Sequence, residues 1–304
     1  MSEPGLLVAA RYRLRQLIGE GGMGRVWLGH DEMLQRDIAV KEIAPPRSPW
    51  STLDDLCHSL VNEARAAAQL TNPHVVPIYD LVQWGGRPWI VMEYVPSRSL
   101  RDLINAHGGL APRYVATVGL ALLDGLTSAH RQGILHRDVT PRNVLIGHDG
   151  RILLTDFGLA SWRAARPGVD REFCGTVGYV APERAAFGVS SPAGDLWSLG
   201  ATLYAAVEGQ PPLVQTFLAD HPGALPPGVL ESPGHAGPLE PVLRGLLACD
   251  PRARLCPLFI RRLLVQVAGP AVDGNTYRRP RPALRPAKFR CDVGRAMVQP
   301  RLAR

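Results

Sequence analysis

Apolar and polar positions alternate early in the chain and give way to longer helical periods later. Tyr12-Arg-Leu-Arg-Gln-Leu-Ile alternates, a glycine cluster follows, and Val26-Trp-Leu and Ile38-Ala-Val-Lys41 complete a set of strands over 12–43. Leu53 to Leu70 predicts a helix with Leu56, Leu60, Ala64 and Ala67 on one face, stopped by Asn72-Pro73. Val75 to Val82 and Pro88 to Tyr94 are strand candidates joined by a Gly85-Gly86 turn. From there the period lengthens. Leu100 to Ala106 predicts a short helix, and Pro112 to Gln132 a long apolar one with proline at its start and Gly133 beyond its end. Val144–Ile146 and Ile152–Thr155, split by His148-Asp149-Gly150, form a hairpin. Pro192 to Glu208 is a second buried helix, residues 211–237 carry no clear pattern, and Leu239–Ala248 and Leu258–Val267 are helical. The expected architecture is α+β: a small antiparallel-sheet lobe with one main helix at 12–92, a join at 93–97, and a larger, mainly helical lobe at 98–268. Residues 1–11 are expected to be an N-terminal extension.

Composition narrows the picture. Of 304 residues 46% are hydrophobic and 20% charged, enough for a real core. No uninterrupted apolar run reaches the ~18 residues a spanning helix needs. The nearest, Leu255 to Ala268, is broken by Arg261 and Arg262. The start lacks a basic segment followed by an apolar block, so no secretory signal is expected. Five cysteines (57, 174, 249, 256 and 291) show no metal or redox spacing, and reduced thiols in a cytoplasm fit them. The formal charge of +7 sits wholly in residues 269–304, where eight Arg and one Lys face Asp273 and Asp292. That Pro- and Arg-rich tail is expected to be disordered, and to touch anionic partners if it has a role. A nucleic-acid-binding domain would carry such charge on its fold. Only Lys41 and Lys288 break an otherwise arginine-only usage, so Lys41 marks a site that needs a compact ammonium.

The chemistry-bearing residues fall into ordered groups. Gly19-Glu20-Gly21-Gly22-Met23-Gly24-Arg-Val26 matches G-x-G-x-x-G-x-V. Strands flank it on both sides, which argues against a dinucleotide-binding turn, since that needs a helix after the glycines. A glycine hairpin can lay backbone N–H groups over phosphates. Lys41 ends a strand beside it, and Glu63, mid-helix, is the carboxylate available to orient the ammonium. His136-Arg137-Asp138-Val-Thr-Pro-Arg-Asn143 and Asp156-Phe157-Gly158 follow.

On these motifs, in this order, the sequence resembles the eukaryotic-type serine/threonine protein kinases, especially those of actinobacteria, over about residues 12–268. The resemblance implies the bilobal protein kinase fold, ATP and Mg²⁺, and protein Ser/Thr hydroxyls as acceptors. It implies Asp138 as the base that takes the acceptor's proton, Asn143 and Asp156 as metal ligands, and Lys41–Glu63 as the ion pair of the active state. Met92 stands at the gatekeeper position, Glu93 and Val95 would meet the adenine edge through their backbones, and Val26 and Ala39 belong to the nucleotide pocket. Gly175-Thr176-Val-Gly-Tyr179-Val-Ala181-Pro182-Glu183 is similar to the substrate-docking end of the activation segment, and disfavours a small-molecule phosphotransferase. Glu183 is expected to pair with Arg254, and Asp195 to brace the catalytic loop.

Two departures stand out. The catalytic loop usually has lysine two residues after its aspartate; here it is Thr140, and Arg142 is the candidate that replaces the missing charge. The segment from Trp162 to Gly175 holds no Ser, Thr or Tyr, so activity is expected without phosphorylation there, with Asp170 or Glu172 as standing partners for Arg137. The rival reading is a pseudokinase scaffold. Dimerisation through the back faces of two lobes, and autophosphorylation, are further expectations of the resemblance.

Overall fold

The computed structural model of the protein describes residues 2–21, 24–43, 53–157, 178–212 and 234–270, with 53–60 described by backbone alone. The first sheet has six strands in the order β1-β2-β3-β4-β6-β5, all pairs antiparallel. These are β1 (Leu7–Val8), β2 (Tyr12–Gly21), β3 (Gly24–Asp31), β4 (Arg36–Ile43), β5 (Ile78–Trp84) and β6 (Arg87–Glu93). Residues before Tyr12 therefore do more than extend the chain. Leu7 and Val8 pair with Arg13 and Tyr12, and Val8 is fully buried with Leu14, Trp27 and Trp89. The other face of the sheet takes α1 (Leu53–Ala68): Ala64 packs with Ile43 and Ile90, and Ala67 reaches the larger core below. Leu56 and Leu60, expected on the same face, and Cys57 have side chains outside the described residues.

After β7 (Ser97–Ser99) the chain turns helical, with α2 (Leu100–His107) and α3 (Pro112–Arg131). Ser99 opens α2 with a reciprocal cap: its hydroxyl accepts from Asp102 N–H, and the Asp102 carboxylate accepts from Ser99. A second sheet joins β7 to β8 (Val144–Gly147) and β9 (Ile152–Leu154). Then come α4 (Pro182–Phe187), α5 (Pro192–Glu208), α6 (Glu240–Leu246) and α7 (Pro257–Ala268).

The α5 helix organises the lobe. Every residue from Gly194 to Val207 is buried, as expected for a helix apolar on all sides. Pro192 sits at its first turn, the Ser191 hydroxyl caps Gly194 N–H, and Gly209 closes it in the left-handed conformation. α3 packs between α5 and α7, and Gly200 lets α6 approach closely, since a methyl there would meet Leu246 at 2.7 Å. The two sheets meet where Val75 bridges Leu154 and Val76 N–H donates to the Leu154 carbonyl at 3.0 Å. The cleft between them holds the candidate site. Among the described residues no helix is long and apolar enough to cross a membrane.

Candidate active site

The catalytic loop hangs from α5. Asp195, in the first turn of that helix, accepts from His136 N–H at 2.9 Å, Arg137 N–H at 2.7 Å and His130 Nε2 at 2.8 Å. Burial alone would raise its carboxyl. The His130 bond, the neighbouring His136 ring and the backbone N–H outweigh that and hold it below the ordinary carboxylate value. Arg137 is left-handed (φ 66°), a conformation a non-glycine residue keeps only when its surroundings fix it. The buried carboxylate under its N–H does so. Thr202 of α5 adds a bond to the Val139 carbonyl at 3.0 Å. Asn143 Nδ2 donates to the Asp138 carbonyl at 2.8 Å and to its Oδ2 at 3.1 Å, which aims the Asp138 side chain.

The two side chains expected to hold metal, Asn143 and Asp156, lie in and next to this loop. Thr155 N–H donates to the Asn143 carbonyl at 2.9 Å, so Asp156 follows directly beside Asn143. Asp156 is also left-handed, φ 67°. His136 holds the segment from below, through Nε2 to the Thr155 carbonyl at 2.9 Å and by an edge contact with Phe157, ring centres 4.5 Å apart. One carboxylate and one amide oxygen suit Mg²⁺, which takes a few hard oxygen ligands and fills the rest from phosphate and water. Gly158 lies outside the described residues.

The ion pairs differ from expectation. Lys41 does not meet Glu63. Its ammonium, 4% exposed and carried on β4, lies 2.7 Å from Asp156 Oδ1, and Glu63 Oε1 lies 3.0 Å from the Arg137 guanidinium. A buried ammonium needs a carboxylate. Asp156 presents one from below, while Glu63 is drawn toward Arg137 on the catalytic loop. The sequence suggested acidic loop residues for Arg137; Asp170 and Glu172 lie outside the described residues.

The glycine segment is the β2–β3 hairpin, with Gly19 opposite Val26, Glu20 opposite Arg25 and Gly21 opposite Gly24. Glu20 and Arg25 pair at 3.1 Å. Gly24 has φ 129°, which only glycine adopts without strain. A methyl on Gly21 would meet nothing within 4 Å, so packing among the described residues does not require that glycine. Gly22 and Met23 at the tip lie outside the described residues. Beneath the hairpin, Ala39, Val76, Met92, Val95 and Leu153 are buried, with Val26, Tyr94 and Leu145 packed against them. An apolar slot lined by these side chains, drawn from both sheets, suits an adenine ring. The Glu93 N–H donates to the Pro77 carbonyl at 3.0 Å and is not available to a ligand. Its carboxylate is held by Arg151 at 2.7 Å, from the hairpin between β8 and β9.

Thr140 is 2% exposed and too short to reach out of the loop. Arg142, in the 3-10 turn Pro141–Asn143, is exposed and near enough to Tyr179 to act on its hydroxyl electrostatically. Glu183 and Arg254 form the expected bidentate pair at 2.6 and 2.7 Å, anchoring the segment that carries Tyr179. Thr176, Gly175 and Ser161 lie outside the described residues. The sequence reading missed Leu145 as the floor of the slot, His130 as a third donor to Asp195, and Arg101 beside Tyr179. Leu145 was the legible one: it lies two residues past Asn143 on an alternating strand.

Residues 12–221 match the protein kinase domain family. The chain is 36% identical over 225 residues to the probable serine/threonine-protein kinase pknA2 of Bifidobacterium longum, covering 74% of this chain and 29% of that protein. It is 33% identical over 209 residues to the serine/threonine-protein kinase PrkC of Bacillus subtilis, covering 68% of this chain and 32% of that protein. With the serine/threonine-protein kinase PknL of Mycobacterium tuberculosis it shares 36% over 210 residues, covering 68% of this chain and 51% of that protein. It thus spans 29% and 32% of the length of the first two of these relatives. A two-lobed fold, a cleft lined by the expected motifs and this match together mean that the chain belongs to the protein kinase domain family.

Proposed function

We propose that the protein is a serine/threonine protein kinase that moves the γ-phosphoryl group of Mg-ATP onto hydroxyls of other proteins. The observation that carries this is the bonding of Asp138, Asn143 and the Thr155–Asp156 turn into one unit facing the apolar slot. Phosphoryl transfer asks mainly for positioning and cationic charge. The slot would take the adenine, and the β2–β3 hairpin would cover the phosphates. Asp138 would orient the acceptor hydroxyl and take its proton. Asn143 and Asp156 would hold Mg²⁺, which supplies the charge that offsets the phosphate oxygens.

Two adjustments accompany this role. Lys41 would turn from Asp156 to the α- and β-phosphates, and Glu63 would leave Arg137 to orient it. Arg142 would supply near the γ-phosphate part of the charge that Thr140 cannot. ATP is an intracellular substrate, so the reading favours a cytoplasmic catalytic region. Autophosphorylation, a dimer of two kinase lobes and contacts of the basic tail with anionic partners are compatible additions; the tail lies outside the described residues beyond Pro270.

A second reading, a pseudokinase scaffold, is favoured by Thr140 and by the Lys41–Asp156 pair. Radiolabelled ATP and a generic basic protein separate the two. The wild type should transfer label with Mg²⁺, and Asp138→Asn should lower kcat by about 10²–10⁴-fold. Equal rates in the two proteins would leave the scaffold reading standing.

A further inference from the structure

Tyr179 presents a problem its own surroundings do not solve. It is 5% exposed, and among the described residues its hydroxyl makes no well-aligned hydrogen bond. Such a group costs about 1–3 kcal/mol when left unbonded, so its persistence points to a ligand that satisfies it. The mount is rigid, because Glu183, four residues on, is clamped by Arg254.

Two cations lie close enough to act on this hydroxyl electrostatically. Arg101 comes from the first turn of α2, and Arg142 from the turn between Asp138 and Asn143; these two elements pack against each other. Arg101 lies close to the hydroxyl without forming a well-aligned bond to it. Burial pushes the Tyr179 hydroxyl up in pKa, and both guanidinium groups oppose that. Neither arginine makes an ion pair among the described residues. The neighbouring carboxylates are engaged: Asp102 caps Ser99, and Asp138 accepts from Asn143. Among the described residues the cluster is thus a hydroxyl donor and two forked cations with no carboxylate paired to them, Arg142 lying one residue from Asn143 and four from Asp138.

We propose that Arg101, Arg142 and the Tyr179 hydroxyl form a recognition site for an anionic side chain of the protein substrate, close to the acceptor hydroxyl. The site suits a carboxylate or a phosphate, since guanidinium forks bind both bidentately. Acceptors with acidic or already phosphorylated residues near the target Ser or Thr are then preferred over neutral or basic ones. This rests on the phosphotransfer reading and adds a substrate class to it. It also gives Arg142 a role different from charge near the γ-phosphate: that role lowers kcat for every acceptor alike, whereas recognition changes the ratio between acceptors.

The test compares acceptor peptides that differ only in Glu, Gln or phosphoserine at positions flanking one threonine. The wild type should favour the Glu or phosphoserine peptide over Gln by at least tenfold in kcat/KM, and the larger ratio identifies the anion. Arg101→Gln combined with Arg142→Gln should bring that ratio within about twofold. Both side chains are partly or fully exposed, and an unchanged unfolding midpoint checks that the fold survives. Fluorescence anisotropy with the same peptides carrying alanine in place of threonine reads binding without transfer. Tighter binding of the Glu or phosphoserine peptide, lost in the double variant, upholds the site even if no phosphate moves, in which case only the phosphotransfer reading fails. Equal affinity and equal kcat/KM for all peptides in the wild type overturns the proposal, and so does a preference that survives the double substitution.

Discussion

The two walls of the cleft are held together by different physics. On the C-terminal side, Asp138 and Asn143 are fixed by bonds among backbone groups, one amide and the buried Asp195 carboxylate. On the N-terminal side, Lys41 and Glu63 form ion pairs to Asp156 and Arg137, both of which belong to the opposite wall. The Glu63–Arg137 pair is part-exposed and so contributes little net energy, whereas the buried Lys41 ammonium must keep an anionic partner whichever one it has. One wall is therefore preorganised for chemistry. The other holds its charged side chains on partners that the proposed function requires them to leave.

The contrast breaks most visibly at Asp195. Asp195→Ala leaves two buried N–H groups and the His130 ring without their acceptor, and should cost about 3–5 kcal/mol in urea unfolding. A loss under 1 kcal/mol would mean that the loop is held some other way. The same carboxylate sets a pH dependence. Its folded pKa is below the ordinary value, so the stability it contributes is complete above about pH 4 and is lost as pH falls through the lower folded value. Urea midpoints taken from pH 6 to pH 3 should fall more steeply for the wild type than for Asp195→Asn.

Smaller effects probe the cations. Arg142→Ala should lower kcat by at least tenfold, ~1.4 kcal/mol, if Arg142 replaces the charge missing at Thr140; unchanged kcat on a neutral peptide refutes that role. The N-terminal wall is tested by Arg137→Gln. Removing the guanidinium frees Glu63 for Lys41, and the KM for ATP should fall about threefold, ~0.6 kcal/mol. A rise in that KM would show that Arg137 supports the nucleotide site rather than competing for Glu63.

Motif spacing made much of this site legible. Asp138, Asn143 and Asp156 converge because the chain between them is short and folds as a turn and a hairpin, both local in sequence. Pro192–Glu208 was legible to the residue, since its proline start, serine cap and glycine end are chemical signals. What stayed hidden depends on distance across the cleft. Lys41, Glu63, Arg137 and Asp156 come from four segments, and which carboxylate meets which cation is decided by tertiary approach. The same holds for Arg101 and Tyr179, whose separation along the chain carries no pattern. Leu7–Val8 escaped notice because a two-residue strand has no measurable alternation.

Mapping phosphosites by mass spectrometry, after incubation of the protein and an acceptor peptide with Mg-ATP, tests the central claim most directly. The account predicts phosphate on Ser or Thr of the acceptor, dependent on Mg²⁺ and on Asp138, from protein that carries none between residues 157 and 175. Nucleotide that binds yet leaves every hydroxyl unmodified would contradict it.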